Sequence, residues 1–237
     1  MRSPINTLLF DFGGTLDADG VAWKERFHAY YQAEGLDVTA EAFAPVFYAA
    51  DDRMADILAA DATLSETAMR LAANIEALLP CLGAGDRSDG ERGRRVAERF
   101  LADGSAAFTR NLGLLQALRE RYRLGMVANF YGNLQAVCQD AQLASLFAVM
   151  VDSRQVGAEK PDRAIFRAAL EPLGATPETA LMIGDSLRRD REGARRMGMG
   201  FIWIAPADMQ AALRRMDGAP PEYPVVERLT ELAEILL

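Results

Sequence analysis

The stretch LLFDFGGTLDADG, residues 8–20, decides the fold. Its opening residues are apolar without alternation, the composition of a strand buried on both faces. Asp11 follows at the mouth of that strand, and Gly13, Gly14 and Thr15 turn the chain away from it. An exposed carboxylate followed by two glycines and a threonine suits phosphate chemistry, yet Gly13 stands where such a loop would be expected to carry a second acid.

Four further strand-like runs join Asn6–Phe12: Leu124–Ala128, Phe147–Asp152, Ala180–Gly184 and Gly200–Ile204. Helical patterns lie between the last four. One follows Pro161, which suits a first helical turn, and keeps Ile165, Phe166, Ala169, Leu170 and Leu173 at 3.6-residue spacing until Gly174. Strands alternating with helices predict an α/β fold with a doubly wound parallel sheet, whose functional residues collect at the strands' carboxyl ends.

Residues 18 to about 104 break the alternation. Trp23, Phe27 and Tyr30 mark one amphipathic helix, and Phe43, Val46, Phe47, Met54, Ile57 and Leu58 a second. Met69, Ala72, Ile75 and Leu79 mark a third, Val96 and Phe100 a fourth; these stripes read as core packing. Between the last two, LGAGDRSDGERG (82–93) reads as a mobile polar loop. The predicted organisation is a Rossmann-like core, residues 1–17 and 105–237, with an all-helical insertion at 18–104. Small residues at Ala18–Gly20 and Gly104–Ala107 would be its hinges.

Composition narrows the function. The chain of 237 residues is 50% apolar and 25% charged, enough for a substantial core. Its charge, 26 − 34 = −8, argues against nucleic acid or an anionic membrane as main partner. Cys81 and Cys138 lack metal or redox spacing and read as buried free thiols of a cytoplasmic protein. The N-terminal apolar run is too short for a signal peptide. Of 26 cationic residues only Lys24 and Lys160 are lysines. A chain that otherwise uses arginine places Lys160 just before Pro161, where a compact point charge differs in kind from a planar guanidinium.

Four segments end at predicted strand tips: DFGGT (11–15), VANF (127–130), EKPD (159–162) and GDSLRRD (184–190). Their order and the intervening helical block resemble the haloacid dehalogenase superfamily, whose commonest members are magnesium-dependent phosphatases. The resemblance covers the whole chain. It implies that Asp11 is the nucleophile that becomes an aspartyl phosphate, with Lys160 neutralising charge beside it. Magnesium would be held by Asp11, the Gly13 carbonyl and Asp185, with Asp190 orienting the site, and the insertion would be a cap that selects a small phosphorylated substrate.

Two departures bear on that expectation. The family's general acid–base, two residues after the nucleophile, is Gly13 here. The hydroxyl that usually contacts the phosphoryl group at the end of the second strand is replaced by Ala128, followed by Asn129, leaving backbone N–H groups. Asp17, Asp19 and Tyr131 are candidates for the missing acid, whereas His28 reads as structural. Installing the acid, Gly13→Asp, is expected to speed alkyl-ester hydrolysis unless Gly13 needs a positive φ. Two alternatives stay open: a catalytically silent member that binds phosphate compounds or a partner, and a metal-free 2-haloacid dehalogenase, against which Asp185 speaks.

Overall fold

The computed structural model describes residues 4–82, 91–217 and 222–237. Strand β1, Thr7–Phe10, has every residue buried, and its alternating side chains feed two cores: Leu8 and Phe10 one, Leu9 the other. It lies inside a sheet completed by β2 (Arg123–Ala128), β3 (Val149–Asp152), β4 (Ala180–Gly184), β5 (Gly200–Ile204) and β6 (Val225–Val226). All pairings are parallel, in the order β3-β2-β1-β4-β5-β6. The direction of winding reverses between β1 and β4, and that reversal opens the crevice at their carboxyl ends.

The helices are α1 (Trp23–Ala33), α2 (Ala40–Asp51), α3 (Met54–Ile57), α4 (Leu64–Leu78), α5 (Glu91–Arg119), α6 (Leu134–Asp140), α7 (Ser153–Val156), α8 (Arg163–Leu170), α9 (Glu192–Met197), α10 (Ala207–Asp217) and α11 (Leu232–Leu236). On one side of the sheet Leu115, Leu118 and Val137 join Leu8, Phe10 and Met126; on the other Ile165, Phe166 and Ala194 join Leu9, Val127 and Met182. The doubly wound sheet with a helical block between its first two strands is therefore the fold. No helix among the described residues is long and apolar enough to cross a membrane.

Several local expectations change. The predicted second helix is two, α2 and α3, separated by a turn at Asp52–Arg53. Pro161 precedes α8 rather than entering it, because Asp162 takes the N-cap and accepts from the Ala164 N–H at 2.8 Å. The two-residue β6 was too short to register as a periodic run. Residues 83–90 of the polar loop lie outside the described residues, while Glu91–Gly93 begin α5. Cys138 is buried as expected, but Cys81 is exposed in the turn Leu79–Leu82.

The largest change concerns residues 104–107, which lie in the middle of α5. Gly104 and Ala107 are buried while Ser105 and Ala106 are exposed, and a Cβ on Gly104 would meet the Arg26 guanidinium at 3.9 Å and Asp17 Cβ at 4.0 Å, in ordinary contact. Helix α5 thus presses against the loop that follows β1. That loop is fixed from several directions. Buried Asp17 accepts from the Gly14 N–H (2.6 Å), Trp23 Nε1 (2.8 Å) and Arg26 Nη1 (2.6 Å). Arg26 also donates to the Phe100 carbonyl at 3.0 Å and lies over the Phe100 ring, while Asn111 donates to the Leu16 carbonyl at 3.0 Å. Asp19 receives Arg110 and, at 3.0 Å, the Leu229 N–H. The segment read as a loose hinge is a tethered junction.

Removing one member of the buried Asp17–Arg26 pair leaves the other charge without compensation. Arg26→Met should lower unfolding stability by about 3–5 kcal/mol, measured by urea denaturation, and Asp17→Asn in the same chain should restore part of the loss.

Candidate active site

Register places the acids. Phe10 pairs with Ile183, so Asp11 and Gly184 leave neighbouring strands side by side, and the Asp11 N–H donates to the Ile183 carbonyl at 3.0 Å. Asp185 follows Gly184, and a π-helical turn, Leu187–Arg191, returns Asp190 to the same point. Carboxylate oxygens of Asp11, Asp185 and Asp190 lie within 4.8 Å of one another. Lys160 enters from the loop after α7 with its Nζ 2.6 Å from Asp11 Oδ1 and 2.8 Å from Asp190 Oδ1. Only 3% of Lys160 is exposed, so this ammonium is committed to the carboxylates.

Two glycines make the approach possible. A Cβ on Gly184 would stand 2.3 Å from Asp190 Oδ2, and one on Gly14 (φ +84°) 2.6 Å from Asp185 Oδ2. Asp190 Oδ2 accepts from the Ser186 N–H at 3.0 Å, and Thr15 Oγ1 donates to Asp185 Oδ1 at 3.4 Å. The lysine is positioned in turn by Asn129, whose Oδ1 accepts the Lys160 N–H at 2.8 Å while its Nδ2 donates to the Lys160 carbonyl at 3.3 Å. Both polar ends of the Asn129 side chain are therefore spent on the lysine's backbone. Ala128, buried at the end of β2, contributes no side-chain donor, and the Phe130 N–H is taken by Ser153 Oγ at 3.1 Å.

Burial opposes the charge on Lys160, but Asp11 and Asp190 outweigh it and hold its pKa above the ordinary lysine value. Asp185 and Asp190 are raised, first by burial; Asp11 pushes both upward, Asp190 adds to the effect on Asp185, and Lys160 only partly offsets it. Three acids thus share one ammonium. An all-oxygen donor set with surplus negative charge is the kind that a hard divalent cation satisfies.

Gly13 is where the structure overturns an expectation. Its φ is not positive, so the backbone would accept a side chain. The space would not: a Cβ there would lie 2.9 Å from Trp23 Nε1 and 3.3 Å from two indole carbons. The ring of α1 occupies the place of the missing acid, and its N–H is bonded to Asp17. Asp17 is held by that indole and by Arg26, and Asp19 by Arg110, so neither is free to shuttle protons. His28 contacts the Val38 carbonyl at 2.7 Å, in keeping with a structural role. Tyr131 donates to Asp51, an insertion residue that its sequence context did not single out.

Around these groups lies a cavity of about 540 Å³. Asp11, Asn129, Lys160 and Asp185 line its floor; Trp23, Phe47, Tyr48 and Asp51 of the insertion line it with Arg188, Arg189 and Met209.

The fold agrees with the comparisons. The family model of haloacid dehalogenase-like hydrolases matches residues 5–198. The chain belongs to that family. It is 33% identical to a phosphoserine phosphatase of Thermus thermophilus over 156 residues, 62% of this chain and 57% of that protein. A glyceraldehyde 3-phosphate phosphatase of Methanopyrus kandleri is 36% identical over 90 residues, 38% of each chain. The chain spans about half the length, or less, of these curated relatives. Among solved structures, the HAD-hydrolase YfnB of Bacillus subtilis bound to magnesium superposes with a TM-score of 0.60 at 23% identity, over 99% of both chains. A dehalogenase solved with an intermediate complex gives 0.62 at 18% identity, over 100% of this chain and 99% of that one. Likeness at that identity shows the shared fold.

The Trp23 contact reverses the expected effect of installing the acid. Gly13→Asp should cost about 1–3 kcal/mol through overpacking and bring no gain in hydrolysis. Trp23→Ala alone should cost about 3–5 kcal/mol, and in that background the further cost of Gly13→Asp by thermal unfolding should be smaller than in the wild type.

Proposed function

We propose that the chain is a magnesium-dependent hydrolase of small phosphate monoesters that works through an aspartyl phosphate on Asp11. The observation that carries this reading is the cluster of buried Asp11, Lys160 and Asp190 with half-buried Asp185 at the switch point of the sheet. The phosphatases among the relatives support this reaction class. The substrate is a small phosphorylated compound, and the protein works in the cytoplasm.

Asp11 Oδ1 is engaged by Lys160 and by the Phe12 N–H at 2.7 Å, which leaves Oδ2 to attack phosphorus. The P–O bond to the leaving group breaks as the Asp11–phosphorus bond forms, and water then releases phosphate from Asp11. Lys160 neutralises charge that collects on the carboxylate and the phosphoryl group. Asp11, the Gly13 carbonyl and Asp185 would hold the magnesium ion, with Asp190 orienting the group, and the bound ion supplies further charge neutralisation. Residues 18–104 act as a cap that screens the cavity from water, and residues 1–17 and 105–237 form the catalytic core. The tethering of Asp17, Arg26 and Asn111 puts any opening of that cap beyond the residues next to Asp11.

Two observations favour a second reading, a silent phosphate-binding member: the absence of a side chain at position 13 and of a hydroxyl at Ala128. One panel separates the two. Aryl phosphates should turn over with magnesium and not without it, Asp11→Asn should abolish turnover, and Asp185→Ala should abolish the calorimetric magnesium signal. A wild type that binds magnesium and phosphate yet cleaves no ester leaves the silent reading standing.

A further inference from the structure

The cavity contains four acids: Asp11, Glu25, Asp51 and Asp185. Asp11 is the nucleophile of the reading above, on which this inference rests, and Asp185 belongs to its carboxylate cluster. Glu25 is paired with Lys24 at 3.0 Å and its side chain is 45% exposed. Position 13 is closed by the Trp23 ring, and Asp17 is committed to Trp23 and Arg26. Asp51 remains. It is the last residue of α2 and faces the same cavity as Asp11 and Lys160, and one of its oxygens accepts the Tyr131 hydroxyl.

We propose that Asp51 is the proton donor and acceptor of the reaction, performing from the insertion the task that position 13 does not perform from the core. Protonated Asp51 gives its proton to the ester oxygen as the P–O bond breaks, so the leaving group departs as a neutral alcohol. The carboxylate so formed takes a proton from the water that attacks the aspartyl phosphate, which breaks the bond to Asp11 and restores protonated Asp51. Protons balance over the cycle, and no co-reactant besides water enters. Tyr131 acts as a positioning residue: by donating to Oδ1 it leaves Oδ2 to carry the proton. Burial raises the pKa of Asp51, the Tyr131 hydrogen bond and Arg189 pull it back, and Asp52 and Glu159 add to the upward push, so the protonated form is favoured relative to an exposed aspartate. The substrate class follows, since an acid at this point is needed for esters of ordinary alcohols rather than for aryl esters alone.

The test is the dependence of kcat/KM on leaving-group pKa for a series of aryl and alkyl phosphates with magnesium. That ratio reports only the steps up to leaving-group departure. Asp51→Asn should reduce kcat/KM on alkyl esters by roughly 10²-fold or more and on aryl esters by at least about 10-fold less, steepening the dependence. Tyr131→Phe should steepen it in the same sense by a smaller factor, which keeps the test decisive if Asp51→Asn does not fold. An equal fall on both ester classes in Asp51→Asn, or an unchanged slope in Tyr131→Phe when that is the only folded variant, overturns the role of Asp51 and leaves the phosphatase reading intact. A wild type that cleaves no ester overturns both.

Discussion

The ammonium of Lys160 is the contact on which the site depends. It lies between Asp11 and Asp190 at 2.6 and 2.8 Å, out of solvent, in a crevice that also holds Asp185. Three carboxylates so close, two of them buried and Asp185 partly so, would repel one another, and their desolvation would favour the neutral forms. One buried cation relieves part of that cost, and a compact one can touch two carboxylates at once without filling the space in front of them. Other features serve this placement: Asn129 grips the lysine backbone from both sides, Gly184 lets Asp190 approach, and the parallel register of β1 and β4 sets Asp11 beside Asp185.

A second set of contacts makes the loop after β1 unlike a bare loop with one residue deleted. Trp23 fills the volume beside Gly13, its N–H is satisfied by Asp17, and Asp17 is compensated by Arg26, which reaches on to Phe100 in α5. Each polar group in that chain has a partner, as buried polar groups require. The glycine at 13 and the tryptophan at 23 are thus a matched pair, and the packing beside Asp11 is complete without an acid there. The insertion is tied to the loop after β1 by the same contacts.

The family to which the chain belongs fixes the fold and the order of its motifs, and solved relatives of similar overall shape include both a magnesium-bound hydrolase and dehalogenases. Shape alone does not choose between such chemistries. What distinguishes this chain is the content of its crevice: an acid cluster around one lysine on the core side, and on the insertion side an aromatic wall with two acids, Glu25 paired with Lys24 and Asp51 bonded by Tyr131.

The sequence by itself determined the elements whose signals are local. Buried parallel strands are continuous apolar runs, so β4 and β5 could be delimited to the residue and β1 recognised; Asp11, Lys160, Asp185 and Asp190 were legible because each lies within a few residues of a strand end or a proline that marks its place. The lysine stood out through composition, against 24 arginines. What only the tertiary structure decided are relations between distant segments. The small residues at 104–107 have the composition of a hinge, yet they lie inside one continuous helix, Gly104 and Ala107 buried and Ser105 and Ala106 exposed, because packing of that helix rather than local propensity sets their conformation. Trp23 belonged to an amphipathic stripe like any core aromatic, and Asp51 was one acid at the end of another helix. Whether a ring fills the space beside Gly13, or a carboxyl 40 residues on from Asp11 lines the same cavity, depends on how α1 and α2 fold back over the sheet, and no periodicity along the chain encodes that distance.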